Sequence, residues 1–286
     1  MLARFLIIFT IFALVTTVVW SKNKITPQSL MEKSDTMYYY PTAHGLTDMA
    51  VDLTVEQFAK NPATKPVTIT FYYAGEKRQQ FAISNLDEHL TELRDRIAGV
   101  VNPLADYLVP KTSQTTFKGL KLSTNQVYRE FTGDPNTVFY QLVGVAPEKD
   151  AEVKEFRVLL DKDGLAHQVE NILKDDSSVI ARIENEKIGN QWHITRMTTR
   201  LMAGMNSEWK IDSVEYGMVD GYSLPVRATI QFRDNFNRPV KGADDLTILF
   251  TNYRINKGAA AAILPPAAPE APKVETPAPA SAPAKK

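Results

Sequence analysis

The chain contains no cysteine. That absence excludes disulfide scaffolds, thiolate zinc sites, iron–sulfur clusters and cysteine nucleophiles, and it leaves no thiol for an N-terminal lipid anchor. Neither sign of charge is in excess: 33 Lys+Arg face 33 Asp+Glu across 286 residues, so a broad electrostatic grip on nucleic acid is not expected. Histidine is sparse. His44, His89, His167 and His193 lie far apart, and each is expected at the surface or on a strand face. Catalytic signatures are missing as well, with no Gly-x-Ser-x-Gly elbow, His-Glu-x-x-His, Walker loop or dinucleotide fingerprint. Asp161-Lys-Asp163-Gly164 begins like a calcium loop but lacks the later glycine and glutamate, which leaves a plain hairpin turn. Glu184 and Glu186 alternate along one strand face. Paired carboxylates can do acid–base work, yet charge on a solvated sheet accounts for them. The expectation is a protein without enzymatic activity, metal or cofactor.

What is present falls into three unlike segments. Residues 1–21 open with Arg4 in a short cationic start, followed by a weakly polar-to-apolar run from Phe5 to Trp20. The run is short for a bilayer span, which needs about 20 apolar residues, and reads as a secretory signal cleaved before Lys22. A retained anchor, with Trp20 at the interface, is the rival. Either way the bulk of the chain is exported. Residues 257–286 hold 7 of the 17 prolines and 11 alanines, and such a segment is expected to be a disordered tail. Setting aside Arg4 and the tail's four lysines and two glutamates, residues 22–256 carry 28 basic and 31 acidic side chains. This middle segment is expected to fold as one domain.

Its dominant pattern is alternation. Val67, Ile69, Phe71 and Tyr73 share one face of a strand, and the pattern returns at Phe156-Val158-Leu160, Trp192-Ile194, Trp209-Ile211, Val226-Ala228-Ile230-Phe232 and Leu246-Ile248-Phe250. Turn chemistry separates these runs at Ala74-Gly75, Asp161–Gly164, Lys174–Asp176, Asp220-Gly221 and Asp234-Asn235. Hairpin follows hairpin, which predicts an antiparallel meander. Helical signals cluster before residue 112. Thr26 is placed to cap a helix with Pro27 at its first position, running through Leu30 and Met31 towards Tyr38. A second helix is expected from about Asn85 or Asp87 to Leu104, with Gly99 and Pro103 breaking or kinking it. The fold class is therefore α+β: one large curved antiparallel sheet with a few helices across its concave side.

Aromatic and methionine side chains crowd the strands, among them Tyr38-Tyr39-Tyr40, Phe71-Tyr72-Tyr73, Trp192, Met197, Met202, Met205, Trp209 and Phe232. They can form a packed core between sheet and helices. A curved sheet closed by helices can instead leave an apolar hollow for an acyl chain. In that case Phe71, Val158, Leu160, Trp192, Ile194, Ile230 and Phe232 are the expected lining, with the 86–104 helix as lid.

The stretch Trp192-His-Ile-Thr-Arg-Met-Thr198 is followed by Trp209-Lys-Ile-Asp-Ser-Val-Glu-Tyr-Gly217, Val219-Asp-Gly-Tyr222, Leu224-Pro225 and Phe250-Thr-Asn-Tyr-Arg-Ile-Asn256. This order of strands around a Gly-x-x-x-Pro element resembles the LolA-like family of periplasmic lipoprotein-sorting proteins. The likeness covers 190–256 at residue level and about 25–256 in architecture. It implies an unclosed β-barrel lidded by helices, binding acyl chains inside without chemistry or cofactor. It also implies cargo of a lipoprotein or lipid, an inner-membrane donor and an outer-membrane acceptor. Arg200 and Arg227 are the candidates for the family's cargo-gating arginine. The alternative function is an envelope interaction or stress-sensing module that uses the same sheet with a filled core.

Overall fold

The computed structural model describes residues 25–59, 67–86, 89–128, 138–203 and 206–266. The expected signal at 1–21 and most of the expected tail lie outside these residues.

Thr26 caps the first helix, α1 (Pro27–Met37), as its sequence predicts: the Thr26 hydroxyl accepts from the Ser29 amide at 3.1 Å and the Ser29 hydroxyl accepts from the Thr26 amide at 3.0 Å. Leu30, Met31 and Ser34 form its buried face. After a 3₁₀ turn at Pro41–His44 come β1 (Met49–Val55), the short α2 (Glu56–Ala59), β2 (Thr68–Tyr73) and β3 (Gln79–Ser84). A helical stretch follows: α3 (Thr91–Val101), a 3₁₀ turn at Asn102–Leu104, α4 (Ala105–Leu108) and α5 (Ser113–Thr116). The rest is an uninterrupted run of hairpins: β4 (Lys121–Tyr128), β5 (Val138–Val145), β6 (Val153–Leu160), β7 (Ala166–Leu173), β8 (Ser178–Ile188), β9 (Gln191–Ala203), β10 (Asn206–Val219), β11 (Tyr222–Arg233) and β12 (Leu246–Ile255).

All twelve strands found among the described residues join one antiparallel sheet, in the order β3-β2-β1-β12-β11-β10-β9-β8-β7-β6-β5-β4. The sheet is not closed, so β3 and β4 are its edges. Exposed Lys121, Ser123 and Asn125 make β4 a polar edge, which discourages pairing with another chain. This order dictates where the helices go. The chain leaves one edge at β3 and must reach the opposite edge at β4, so residues 85–120 cross the sheet and carry α3, α4 and α5 over it. The second expected helix starts later than its apolar period suggested, at Thr91, and breaks at Pro103 as its sequence predicts. Pro103 lacks the amide that would continue the helix, and the chain breaks into shorter turns at Asn102.

Two packed clusters result. In the first, Ile97, Val101, Leu104 and Leu108 pack on Met49, Leu53, Ile69, Phe71, Leu224, Ile230 and Ile248, all at most 1% exposed. In the second, Leu30 and Met31 of α1 and Phe117 pack on Leu142, Leu160 and Ile183. Phe117 sits so close to β5 that a β-carbon on Gly144 would meet its ring at 2.7 Å, so only glycine fits there. Ile194 and Met197 touch both clusters from the sheet between them.

One boundary differs from the sequence expectation. Residues 257–266, assigned to a disordered tail, dock against the sheet. Ala260 and Leu264 are buried, the Ala261 amide donates to Asp48 Oδ2 at 2.8 Å, and Arg78 donates to the Leu264 and Pro265 carbonyls. Alanine-rich composition concealed the one large apolar anchor, Leu264, and the turn that seats it.

Candidate functional site

Between the two clusters the helices and the sheet do not meet, and a hollow of about 660 Å³ remains. Its floor is the concave side of β6 to β11. Phe156 and Val158 come from β6, Ala166, Val169 and Asn171 from β7, and Val179, Ala181 and Ile183 from β8. Its roof is Ser34 of α1, the segment Tyr38–Pro41, and the connection from Pro103 to Phe117.

Bulges in the floor strands bring these residues to one side. On β7, Leu159 pairs with Gln168 and Leu160 with Ala166, so His167 is the extra residue and Ala166 lines the hollow with Val169 and Asn171. On β9, Glu184 pairs with Arg196 and Asn185 with Ile194, so Thr195 is the extra residue. The alternation changes phase there, which allows Met197 and Thr199 to line the hollow together with Trp192 and Ile194. On β11 the extra residue is Val226, between the partners of Glu215 and Tyr216.

The roof is tied down by the three consecutive tyrosines. The Tyr38 hydroxyl accepts from the Ala166 amide at 2.8 Å and donates to Asn185 at 3.0 Å; burial pushes its pKa up to about 12. The Tyr39 amide donates to the Trp192 carbonyl at 3.0 Å, and its hydroxyl accepts from the Ser223 amide at 3.1 Å. The Tyr40 hydroxyl donates to Asp35, whose carboxylate also accepts from the Ser113 and Gln114 amides at the start of α5. The phenol ring of Tyr39 stacks between His44 and His193, at 4.8 and 5.0 Å between centroids.

One end of the hollow is polar. From the floor come Lys210, Asp212 and Tyr216 of β10, Ser223 of β11 and His193; from the roof come Asp106, Tyr107 and Lys111. Lys210 Nζ donates to Asp212 Oδ2 at 2.8 Å. Burial raises the pKa of Asp212, opposed by the Lys210 charge, and burial raises that of Asp106, opposed by Lys111. Tyr107 is pushed up by burial and by the neighbouring Asp212, Tyr216 and Asp106. His193 is only 5% exposed, and burial lowers its pKa against the opposing Gln191 backbone and Glu186 charge.

Of the seven lining residues expected from sequence, Val158, Trp192 and Ile194 face the hollow. Phe71, Leu160 and Ile230 are packed in the two cores at 0–2% exposure. Phe232 is partly buried against the first core. The expected lid is corrected too: α3 spends its apolar face on that core through Ile97 and Val101, and among the described residues of the 86–104 segment only Pro103 reaches the hollow. The gating candidates Arg200 and Arg227 lie outside the lining. Arg200 sits over the Trp209 ring at 5.8 Å, and Arg227 is 3.8 Å from Glu215. His193, expected at the surface or on a strand face, lies on β9 and is buried there. Asp161 caps its own turn by accepting from the Asp163 and Leu165 amides, and Glu184 and Glu186 are exposed. Sequence reasoning missed the polar end. Its signal was Lys210, Asp212 and Tyr216, even-numbered positions opposite the apolar Trp209 and Ile211.

Among the described residues no group of three or more His, Asp or Glu side chains is placed to hold a metal, and no helix is long and apolar enough to cross a membrane. No protein-family model matches the chain, and no curated protein matches it in sequence. Among solved structures the chain is similar to a LolA superfamily protein from Nitrosomonas europaea, with a TM-score of 0.34 and 8% identity over 80% of this chain and 93% of that one. It is also similar to a domain described as an outer membrane lipoprotein-sorting protein from Vibrio parahaemolyticus, with a TM-score of 0.33 and 8% identity over 80% of this chain and 92% of that one.

Proposed function

We propose that the protein is a non-enzymatic periplasmic carrier that takes up an acyl chain of a lipoprotein or lipid in this hollow. In this reading it receives its cargo from an inner-membrane donor and yields it to an outer-membrane acceptor. The observation that carries the reading is the hollow itself, an apolar space left open between two well-packed cores. Its volume of about 660 Å³ lies within the range of small-molecule sites, roughly 300–1,000 Å³. Each methylene buried contributes about 0.8 kcal/mol, so eight supply about 6 kcal/mol before association costs. A stress-sensing or interaction module needs no such space, and a filled concave side would have favoured it.

A fluorescent fatty-acid titration tests the reading. The parent should bind the probe; Ile194→Arg, which projects charge into the hollow from its centre, should not. Thr229→Arg is the control, because Thr229 alternates with the buried Ala228 and Ile230 and faces away from them. Failure of the folded parent to bind any acyl probe overturns the carrier reading. Native mass spectrometry of the purified chain should in addition show a co-purified lipid.

A further inference from the structure

Eight buried side-chain nitrogen and oxygen atoms lack a hydrogen-bond partner among the described residues. Two of them, Asp48 Oδ1 and Arg196 Nε, lie elsewhere. The other six belong to residues that line the hollow: Tyr107 Oη, Asn171 Oδ1, both ring nitrogens of His193, Asp212 Oδ1 and Ser223 Oγ. Tyr107, His193, Asp212 and Ser223 are 3–7% exposed. Buried polar atoms are nearly always paired, and an unpaired one costs free energy that folding alone does not return. Scattered singly, such atoms are defects of packing. Gathered just beneath the wall of one hollow, they are donors and acceptors that a ligand's head can pair with once these side chains turn towards it.

The charges around them are balanced. Lys210 is neutralised by Asp212 at 2.8 Å, Lys111 acts on Asp106, and no arginine is among the described lining residues. An anionic head would bring a third negative charge beside Asp106 and Asp212, with Lys210 already held by Asp212. A neutral head with both donors and acceptors meets hydroxyl, carboxylate and imidazole groups at no such cost.

We propose that the polar end of the hollow is a head-group subsite, formed by Tyr107, His193, Asp212 and Ser223, that selects acyl chains bearing an uncharged amide, ester or hydroxyl head over fatty-acid or phosphate anions. The proposal rests on the acyl-binding reading above and adds the class of head group to it.

Displacement of N-phenylnaphthylamine from the full chain separates the two claims. The competitors share one chain length: monolauroylglycerol and N-dodecanoyl ethanolamide are neutral, dodecanoate and dodecyl phosphate are anionic. The neutral pair should displace the probe at concentrations about tenfold lower, the worth of one or two additional hydrogen bonds. In a Tyr107→Phe, Ser223→Ala variant that preference should shrink by about fivefold or more, with the anions unchanged. This variant removes two unpartnered hydroxyls and little volume, so it should melt no lower than the parent. Equal affinity for all four heads overturns the subsite and leaves the acyl-binding reading standing, as does an unchanged preference in the variant. Binding of none of the competitors overturns both.

Discussion

Ala181→Leu distinguishes a vacant hollow from a packed one by the sign of its effect. Ala181 sits at the middle of the floor, 7% exposed, paired with Val169 on β7 and Thr199 on β9. Val179 and Ile183, its neighbours on the same face, line the same space. A leucine side chain extends into that space by about three carbon groups. With about 0.8 kcal/mol for each one removed from water, the gain is at most ~2 kcal/mol, which for a domain of this size raises the melting temperature by several degrees. In a filled core the same change overpacks, costs roughly 1–3 kcal/mol and lowers the melting temperature. The binding readout moves the other way. Leucine occupies volume the ligand needs, so the affinity for a fluorescent fatty acid should fall by about tenfold, the equivalent of one or two methylenes. Thermal unfolding and probe titration on the same preparation give both numbers. A variant that is destabilised and binds the probe as the parent does would refute the reasoning, because it would place Ala181 in packed core away from any ligand.

Ile230→Ala should do the reverse of a floor mutation: Ile230 is fully buried away from the hollow, so stability should fall by about 2–5 kcal/mol in denaturant titration while probe affinity holds. Ending the chain at Pro266 should leave the melting temperature unchanged, since 267–286 offer little apolar surface to bury; ending it at Lys257 should cost about 2–4 kcal/mol by exposing the Leu264 and Ala260 sites. The pH profile of stability should show His193. Its folded-state pKa is depressed below the ordinary 6.5, so its contribution is complete above about that pH and is lost as pH falls through the folded-state value; melting curves of parent and His193→Phe across this window should diverge on the acid side, and parallel curves would exclude the buried histidine as the cause.

The meander was legible because alternation and turn chemistry both report local backbone geometry. Trp192-Ile194 and Leu246-Ile248-Phe250 each lie in strands, and Asp220 and Gly221 turn with positive φ, as an Asp-Gly pair between strands predicts. The helix at Thr26-Pro27 was legible for the same reason, its cap and its proline being read one residue apart. What was not legible is position in the stack. Phe71 and Ile230 carry the same alternating signature as Ile194, yet the first two lie beneath α3 and the third lies in the gap that α3 leaves. A pattern of period two states which face is apolar and says nothing of what covers it.

The site was obscured by a second cause. Strict alternation assigns one parity of each strand to the interior for its whole length; β7 breaks that rule at His167, β9 at Thr195 and β11 at Val226. One extra residue in β9 allows Trp192 and Met197, of opposite parity, to line the same hollow. The bulges also bear on why the hollow exists. A bulge bends its strand and increases the local twist, and all three lie in strands that form the floor, those of β9 and β11 on either side of β10. The curvature they add bends the floor beneath a roof that Tyr38 and Tyr39 tie down, through anchors on Ala166, Trp192 and Ser223 of the same strands. Deleting Thr195 would leave Glu184–Arg196 and Asn185–Ile194 paired in regular register, keep Ile194 on the face of Ile183 and Met197, and relieve the bend. The bulged residues His167, Thr195 and Val226 line none of that space, and act on it only through the parity and bend of their strands.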